Sequence, residues 1–260
     1  MSKYQGRSAP ISVSQNFLTS QKTIERLLRL TDIGKNDTVL EIGAGKGHIT
    51  KALLNKSGHV TACEIDAKLF RMLKTKLANG SNLSLHNVDF LESALPSSAY
   101  KVFSNIPFSI TTDIVRKLTQ GSNPPQDAWL VMEKGAAKRF CGKPGDTLQS
   151  LLLKPFFDLS IVYHFRREDF HPMPRTDVVL LRISQRAHPD IPHIEQKSYH
   201  RFITHSLRFG LSGKGALLTR QQIRTALSRA KLNPIQQGGE ILYIQWLCLF
   251  RCWQKHGQML

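Results

Sequence analysis

Several things are missing from the 260-residue chain, and each absence closes off a class of protein. Apolar runs are short, and none reaches the roughly 18 residues that a membrane-spanning helix requires. Residues 1–13 hold no apolar stretch of the kind a secretory signal needs, and with Lys3 and Arg7 they read as a basic arm. Neither membrane insertion nor export is expected, which places the chain in the cytoplasm. Cysteine is scarce: Cys63, Cys141, Cys248 and Cys252 form no CxxC pair and have no histidine at zinc-ligand spacing. Reduced thiols and no metal site are therefore expected, with Cys248 and Cys252 on one buried helix face. Acids are few as well, since 19 Asp and Glu against 36 Lys and Arg leave a net charge of +17. An excess of this size, spread along the chain, favours a polyanionic partner; the alternative is a basic surface that is only solvated. At 41% hydrophobic residues, a substantial core is expected, in one large domain with a small one beside it.

What is present is organised around TVLEIGAGKGHIT, from Thr38 to Thr50. Val39, Leu40 and Ile42 read as a buried parallel strand. Gly43, Gly45 and Gly47 form a tight turn, and Ile49, Ala52, Leu53 and Leu54 give the next helix its apolar face. The start of that helix would direct unpaired N–H groups at a ligand. The G-x-G-x-G spacing is not the dinucleotide fingerprint, because no glycine stands at the sixth position. Nor is it a phosphate-binding P-loop, because Gly47 follows Lys46 where Ser or Thr is needed for magnesium. Glu41, just ahead of the glycines, would repel a pyrophosphate but orient the loop or attract the cationic end of a zwitterion such as S-adenosylmethionine. A plain strand-to-helix turn is the alternative.

An amphipathic helix over Gln21–Leu30 precedes this strand, with Asn16 and Phe17 at its entry. Beyond the glycines, apolar runs alternate with helical patterns. Strands are predicted at Val60–Glu64, Leu83–Asp89, Lys101–Asn105 and Ala128–Met132, with helices over Lys68–Leu77 and Ile110–Leu118, which together make a parallel sheet with crossover helices. Glu41, Glu64, Asp89 and Asn105 each fall at or near a strand's C-terminal end, where open α/β sheets bind ligands. About twenty residues past the glycines, Glu64 can accept both ribose hydroxyls of an adenosine. Asp89 can accept the adenine amino group, with Ile65 and Phe90 against the ring. Any one of these acids could instead be a helix cap; three together favour a nucleoside-containing cofactor.

The fourth strand runs into Asn105-Ile106-Pro107-Phe108, which taken alone is a proline turn. At this position it has a chemical reading. The Asn105 amide oxygen and the Ile106 carbonyl can accept from an exocyclic amine, Pro107 fixes the turn and removes a competing N–H, and Phe108 offers a stacking face. An adenine amine is a poor nucleophile because its lone pair is delocalised, so two acceptors that draw it towards tetrahedral geometry assist attack. Catalysis would then be positioning and electrostatics, with no strong base required.

Taken together, SQNFL, EIGAGKG, EID, VDF and NIPF resemble the rRNA adenine N6-methyltransferases, most closely the erythromycin-resistance (Erm) family, from about Ser14 to Ile183. Val131 to Phe140, VMEKGAAKRF, and Phe170-His171-Pro172-Met173-Pro174 are similar to the same family. The resemblance implies a class I S-adenosylmethionine-dependent methyltransferase fold, with cofactor contacts at Asn16, Leu18, Gly43, Glu64, Asp89 and Asn105, to which Gly45, Ile65 and Phe90 are added here. Phe108 stands where many relatives have Tyr, which removes a hydroxyl but keeps the stacking face. Phe170 is similar to the family's second aromatic near the target base. It is expected to sandwich a flipped adenine with Phe108, the alternative being a core residue before a proline turn.

Leu159–His164 and Val178–Ile183 are too closely connected for a crossover helix, so they are expected to complete a seven-stranded α/β, Rossmann-like sheet as a final antiparallel hairpin. After the linker-like His188–Pro192 only helical patterns follow. The expected domains are thus a catalytic one over residues 14–183 and a small helical one over 184–260, with helices at Tyr199–Phe209, Arg220–Lys231 and Gln236–Trp253. The helical domain is rich in Lys and Arg; it borders an RNA groove or is a packing module. Lys138, Arg139, Arg166, Arg167 and Arg175 are expected to bind RNA phosphates. The expected function is transfer of methyl groups, two of them, from S-adenosylmethionine to N6 of one adenine in 23S rRNA, by a monomer. The family likeness implies that this blocks macrolide, lincosamide and streptogramin B binding. The alternatives are the housekeeping small-subunit rRNA adenine dimethyltransferases and a noncatalytic nucleic-acid-binding protein that has kept the fold. Ile106, Phe108, Lys46 and VMEKGAAKRF look more like the resistance enzymes.

Overall fold

The computed structural model describes residues 16–78, 80–236 and 238–257. The basic arm over 1–13, and Ser14 and Gln15 of SQNFL, lie outside the described residues. The chain divides into two compact units. One runs to Ala137 and takes up Ser160–Gln185; the other comprises Lys138–Leu159 and Arg186–Leu260.

In the first unit β2 (Thr38–Ile42), β3 (His59–Cys63), β4 (Leu83–His86), β5 (Lys101–Asn105) and β6 (Asp127–Glu133) follow the alternation read from the sequence. With β7 (Phe157–His164) and β9 (Val178–Gln185) they form a seven-stranded sheet in the order β4-β3-β2-β5-β6-β9-β7. Neighbours from β4 to β6 are parallel, and β9 is antiparallel to β6. The last strand in sequence is therefore inserted between its two predecessors. Its first four residues, Val178–Leu181, are all buried, as an interior strand requires, whereas β7 is half-covered at alternate positions and takes the edge. β4 stops at His86 rather than Asp89, because the Asn87 amide donates to the carbonyls of Glu64 (2.8 Å) and Ile65 (3.2 Å) and turns the chain away.

Helices flank the sheet. The Ser20 hydroxyl caps α1 (Gln21–Arg29), whose Ile24, Leu27 and Leu28 are buried, and the Asp66 carboxylate caps α3 (Ala67–Lys76) by accepting from the amides of Lys68 and Leu69. α2 (His48–Lys56) starts at Gly47, whose φ of +78° is left-handed. A further pairing was not visible in the sequence: β1 (Phe17–Leu18) runs antiparallel to β8 (Phe170–His171), as a separate two-stranded sheet. α4 (Thr111–Gln120) lies between β5 and β6.

α5 (Lys134–Cys141) follows β6, and the second unit contains α6 (Leu148–Leu153), α7 (Gln196–Phe209), α8 (Arg220–Arg229) and α9 (Tyr243–His256). Its core is aromatic, with Tyr199 against Phe250 at 5.2 Å and Phe202 against Trp246 at 6.3 Å. The thiols of Cys248 and Cys252, one turn apart on α9, meet the α8 carbonyls of Ala226 and Gln222. α9 begins at Tyr243 rather than Gln236. Gly238 takes a positive φ of 72°, and the helix starts where the Gln245 side chain accepts the Leu242 N–H.

Gly47 shows how the loop and the core constrain each other. A Cβ there would lie 2.5 Å from Leu73 Cδ2, and Leu73 is fully buried. Gly47→Ala should therefore cost about 2 kcal/mol or more, from the left-handed backbone and the displaced core together. Chemical unfolding of the variant is expected to show that loss, and an unchanged midpoint would contradict it.

Candidate active site

Asn16, Phe17, Gly43, Gly45, Glu64, Asn105, Ile106, Pro107 and Phe108 line one cavity in the first unit. Three parallel strands, β2, β3 and β5, deliver these residues from their C-terminal ends, and the segment leading into β1 closes one side. The open volume is about 40 Å³, because the Phe17 ring lies over the glycine loop, close enough that a Cβ on Gly45 would be 2.8 Å from Phe17 Cε1. The Lys46 ammonium sits 4.9 Å from the centre of that ring.

The glycine loop is tied to the end of β3. The Gly43 and Ala44 amides donate to the Cys63 carbonyl at 2.9 and 3.1 Å, and the Gly45 amide donates to Glu64 Oε2 at 2.7 Å. Glu64 Oε1 accepts the Asp66 amide at 2.9 Å, so this carboxylate, 2% exposed, bridges the loop and the start of α3. Each of its oxygens keeps a further lone pair. Gly43, Gly45 and Gly47 have φ of 73°, 57° and 78°, the left-handed conformation this turn demands.

Glu41 does not reach the cavity. It is 1% exposed, it is not among the lining residues, and its Oε2 has no hydrogen-bond partner. Burial raises its pKa to about 8, the nearby Glu64 charge adds to the rise, and Thr50 pulls the other way. At neutral pH it is held largely protonated, so its first role is to fill space under the loop rather than to attract a cation.

Asn105 carries the most specific geometry. Its Nδ2 donates to the Asn16 carbonyl at 2.7 Å, while its Oδ1 is buried and has no hydrogen-bond partner. The opposite amide orientation would set two acceptors against each other, so the carbonyl of Asn16 fixes which end of the amide is free. Ile106 is buried, its amide donating to the Val131 carbonyl, and Phe108 is half-buried at the start of a short 3₁₀ turn (Phe108–Ile110).

Other expected site residues lie elsewhere. Leu18 is 2% exposed and belongs to the core. Ile65 is exposed, and Asp89 Oδ1 accepts the Leu91 amide at 2.8 Å in a turn beyond β4, neither of them lining the cavity. Phe90 is buried beneath the Lys117 ammonium, 4.7 Å from its ring centre. The sandwich of Phe108 with Phe170 is not formed. Phe170 is 2% exposed and packs at 5.1 Å on Phe165, because β8 is held against β1. Of the basic residues, Arg166, Arg167 and Arg175 are exposed in the first unit, with Arg167 within 3.9 Å of Asp177, and Lys138 and Arg139 are exposed in the second. The sequence did not disclose the roles of the Asn16 carbonyl and the Phe17 ring. A two-residue strand has no periodicity to read.

The buried Glu41 makes stability depend on pH in a defined direction. Its folded pKa lies above its unfolded value of 4.5, so the folded state holds the proton longer, and the charge becomes costly as pH rises from about 4.5 to about 8. Glu41→Gln removes the ionisation. The variant is expected to gain stability relative to the parent by up to a few kcal/mol between pH 5 and pH 8.5, measured by urea unfolding across that range. A difference that does not change with pH would contradict the assignment.

Comparison with known proteins follows the same lines. Residues 6–232 match the ribosomal RNA adenine dimethylase family. The rRNA adenine N-6-methyltransferase of Limosilactobacillus reuteri is 35% identical over 246 residues, covering 94% of this chain and 96% of that protein. The protein of the same description from Escherichia coli is 32% identical, covering 92% and 94%. Among solved structures, the 23S rRNA methyltransferase ErmE superposes with a TM-score of 0.78 at 27% identity, over 92% of this chain and 100% of that one. A dimethyladenosine transferase from Plasmodium falciparum shares the fold, with a TM-score of 0.69 at 20% identity over 85% of this chain and 84% of that one. The chain belongs to the ribosomal RNA adenine dimethylase family and is an S-adenosylmethionine-dependent enzyme that methylates adenine N6 in ribosomal RNA.

Proposed function

We propose that this enzyme dimethylates one adenine of 23S rRNA and that the modification protects the ribosome from macrolides, lincosamides and streptogramin B. The observation that carries the chemistry is the oriented Asn105 amide, whose buried Oδ1 lacks a partner beside the cavity. The large-subunit target is supported by the likeness to ErmE along the whole of that chain. Further support comes from Ile106, Phe108 and Lys46, which resemble the resistance enzymes.

The cavity residues fit S-adenosylmethionine. Glu64 keeps lone pairs for the ribose hydroxyls, and Gly43 and Gly45 allow close backbone approach. When bound, the cofactor supplies a methyl group on a sulfonium centre. The chain's own residues then act on the target base. Asn105 Oδ1 accepts one N6 proton and the Ile106 carbonyl a second, which draws the amine out of the ring plane and frees its lone pair. Pro107 contributes no N–H that would compete for those acceptors. Phe108 presents its free face to the flipped base, and Phe170 supports β1 from the core instead of stacking. No side chain has to remove a proton before attack, since the product nitrogen is acidic enough to lose its extra proton afterwards. We further propose that Arg166, Arg167, Arg175, Lys138 and Arg139 contact RNA phosphates.

Three variants with distinct failures test this reading on a 23S rRNA fragment. Asn105→Ala should lower turnover about a hundredfold or more, because the lost acceptor acts most strongly as the nitrogen is methylated. Phe108→Ala should weaken capture of the base by about 1 to 3 kcal/mol while cofactor affinity stays near that of the parent, and Phe108→Tyr should remain active. Glu64→Ala should instead weaken cofactor binding by about 1 to 3 kcal/mol in calorimetry. Unfolding midpoints measured alongside separate these effects from collapse of the turn. Wild-type methylation by both Asn105→Ala and Phe108→Ala would remove the adenine from this turn, and transfer to 16S rRNA alone would overturn the large-subunit target.

A further inference from the structure

Helix α7 carries no acidic residue among its fourteen, QKSYHRFITHSLRF. One face is apolar and buried, through Tyr199, Phe202 and Ile203. The other presents Lys197, Arg201, Thr204 and Arg208, all exposed along a shallow concavity of about 600 Å³. At about 100° per residue these four fall within about 60° of the helix circumference, and the three cations form a row of about 16 Å. None of the three has an acidic partner among the described residues. Arg182, Arg186 and Arg251, by contrast, are all paired with carboxylates. A face that is only solvated mixes both signs, because like charges four residues apart weaken a helix. This row bears that cost with no local compensation.

The end of the row has a second feature. Phe209 is 46% exposed, with the Arg208 guanidinium 5.1 Å from its ring centre and the His205 ring at 4.6 Å. His205 Nε2 donates to the Gly215 carbonyl at 2.7 Å and so pins the following turn, which carries the exposed Lys214. A half-exposed aromatic ring beside a guanidinium is what an unpaired base stacks on, and a straight row of cations is what a phosphate backbone follows.

We propose that this face of α7 binds a strand of the ribosomal RNA substrate, with phosphates along Lys197, Arg201 and Arg208 and a base on Phe209. The surface rests on the ribosomal RNA reading of the active site but shares no residue with it.

The test compares the wild-type enzyme with the triple variant Lys197→Gln, Arg201→Gln, Arg208→Gln and with Phe209→Ala, binding a 23S rRNA fragment across a salt series. For the triple variant the slope of log affinity against log salt should become shallower by about 2, at roughly 0.7 per lost single-strand phosphate contact. Phe209→Ala should weaken binding by about tenfold at every salt concentration without changing the slope. Affinity for S-adenosylmethionine and unfolding midpoints should match the parent in both, since glutamine keeps the helix and the residues are exposed. If the wild type binds RNA and both variants bind it with the same affinity and slope, the face is a solvated one and the proposal falls alone. A wild type that binds no ribosomal RNA would overturn both this surface and the reading beneath it.

Discussion

The hydrogen bond of 2.7 Å from Asn105 Nδ2 to the Asn16 carbonyl decides what the cavity can do. An amide side chain is a donor at one end and an acceptor at the other, and a strand end alone does not say which way it faces. Here the backbone carbonyl of a residue 89 positions away uses up the donor and leaves the acceptor buried without a partner. That carbonyl is in turn placed by β1, which exists only because β8 pairs with it, Leu18 facing Phe170. Thr23 Oγ1 and the Thr19 amide both donate to Asp169, at 2.7 and 3.2 Å, and hold the same junction from the helix side. Phe170 thus packs behind the segment whose carbonyl orients the Asn105 amide.

Beneath this acceptor lies a pair of buried acids with divided duties. Glu64 accepts two backbone amides and ties the glycine loop to the start of α3, so the turn is shaped before any ligand arrives. Glu41, with an unpartnered Oε2, is kept neutral by burial under the same loop. Two ionised carboxylates so close together in a dry site would repel each other, and protonation of the deeper one relieves that. The result is a preformed pocket floor in which the chemistry depends on placement, as suits a reaction whose nucleophile needs alignment more than deprotonation.

Much of the sheet was legible in the sequence because strands buried on both faces read as continuous apolar runs, and the glycines and NIPF mark their ends. The position of β9 was less so, although VVLLRI without alternation and FDLSIVYH with it separate an interior strand from an edge. Gly43, Glu64 and Asn105, which sit at or just beyond strand ends, are the expected residues that the structure brings together around one cavity. Where tertiary pairing decides, the sequence is silent: the β1–β8 register buries the side chains of Leu18 and Phe170, which no local pattern announces. Asp89 satisfies its own turn, a local hydrogen bond that competes with any ligand and that spacing cannot reveal.

The position of the new methyl groups is the decisive quantity. Mass mapping of both ribosomal RNAs from bacterial cells expressing the chain should find a single N6-dimethyladenine in 23S rRNA, absent from cells without it and from cells carrying Asn105→Ala. New methylation confined to 16S rRNA, or the same 23S mark made by the Asn105→Ala variant, would contradict the proposed function.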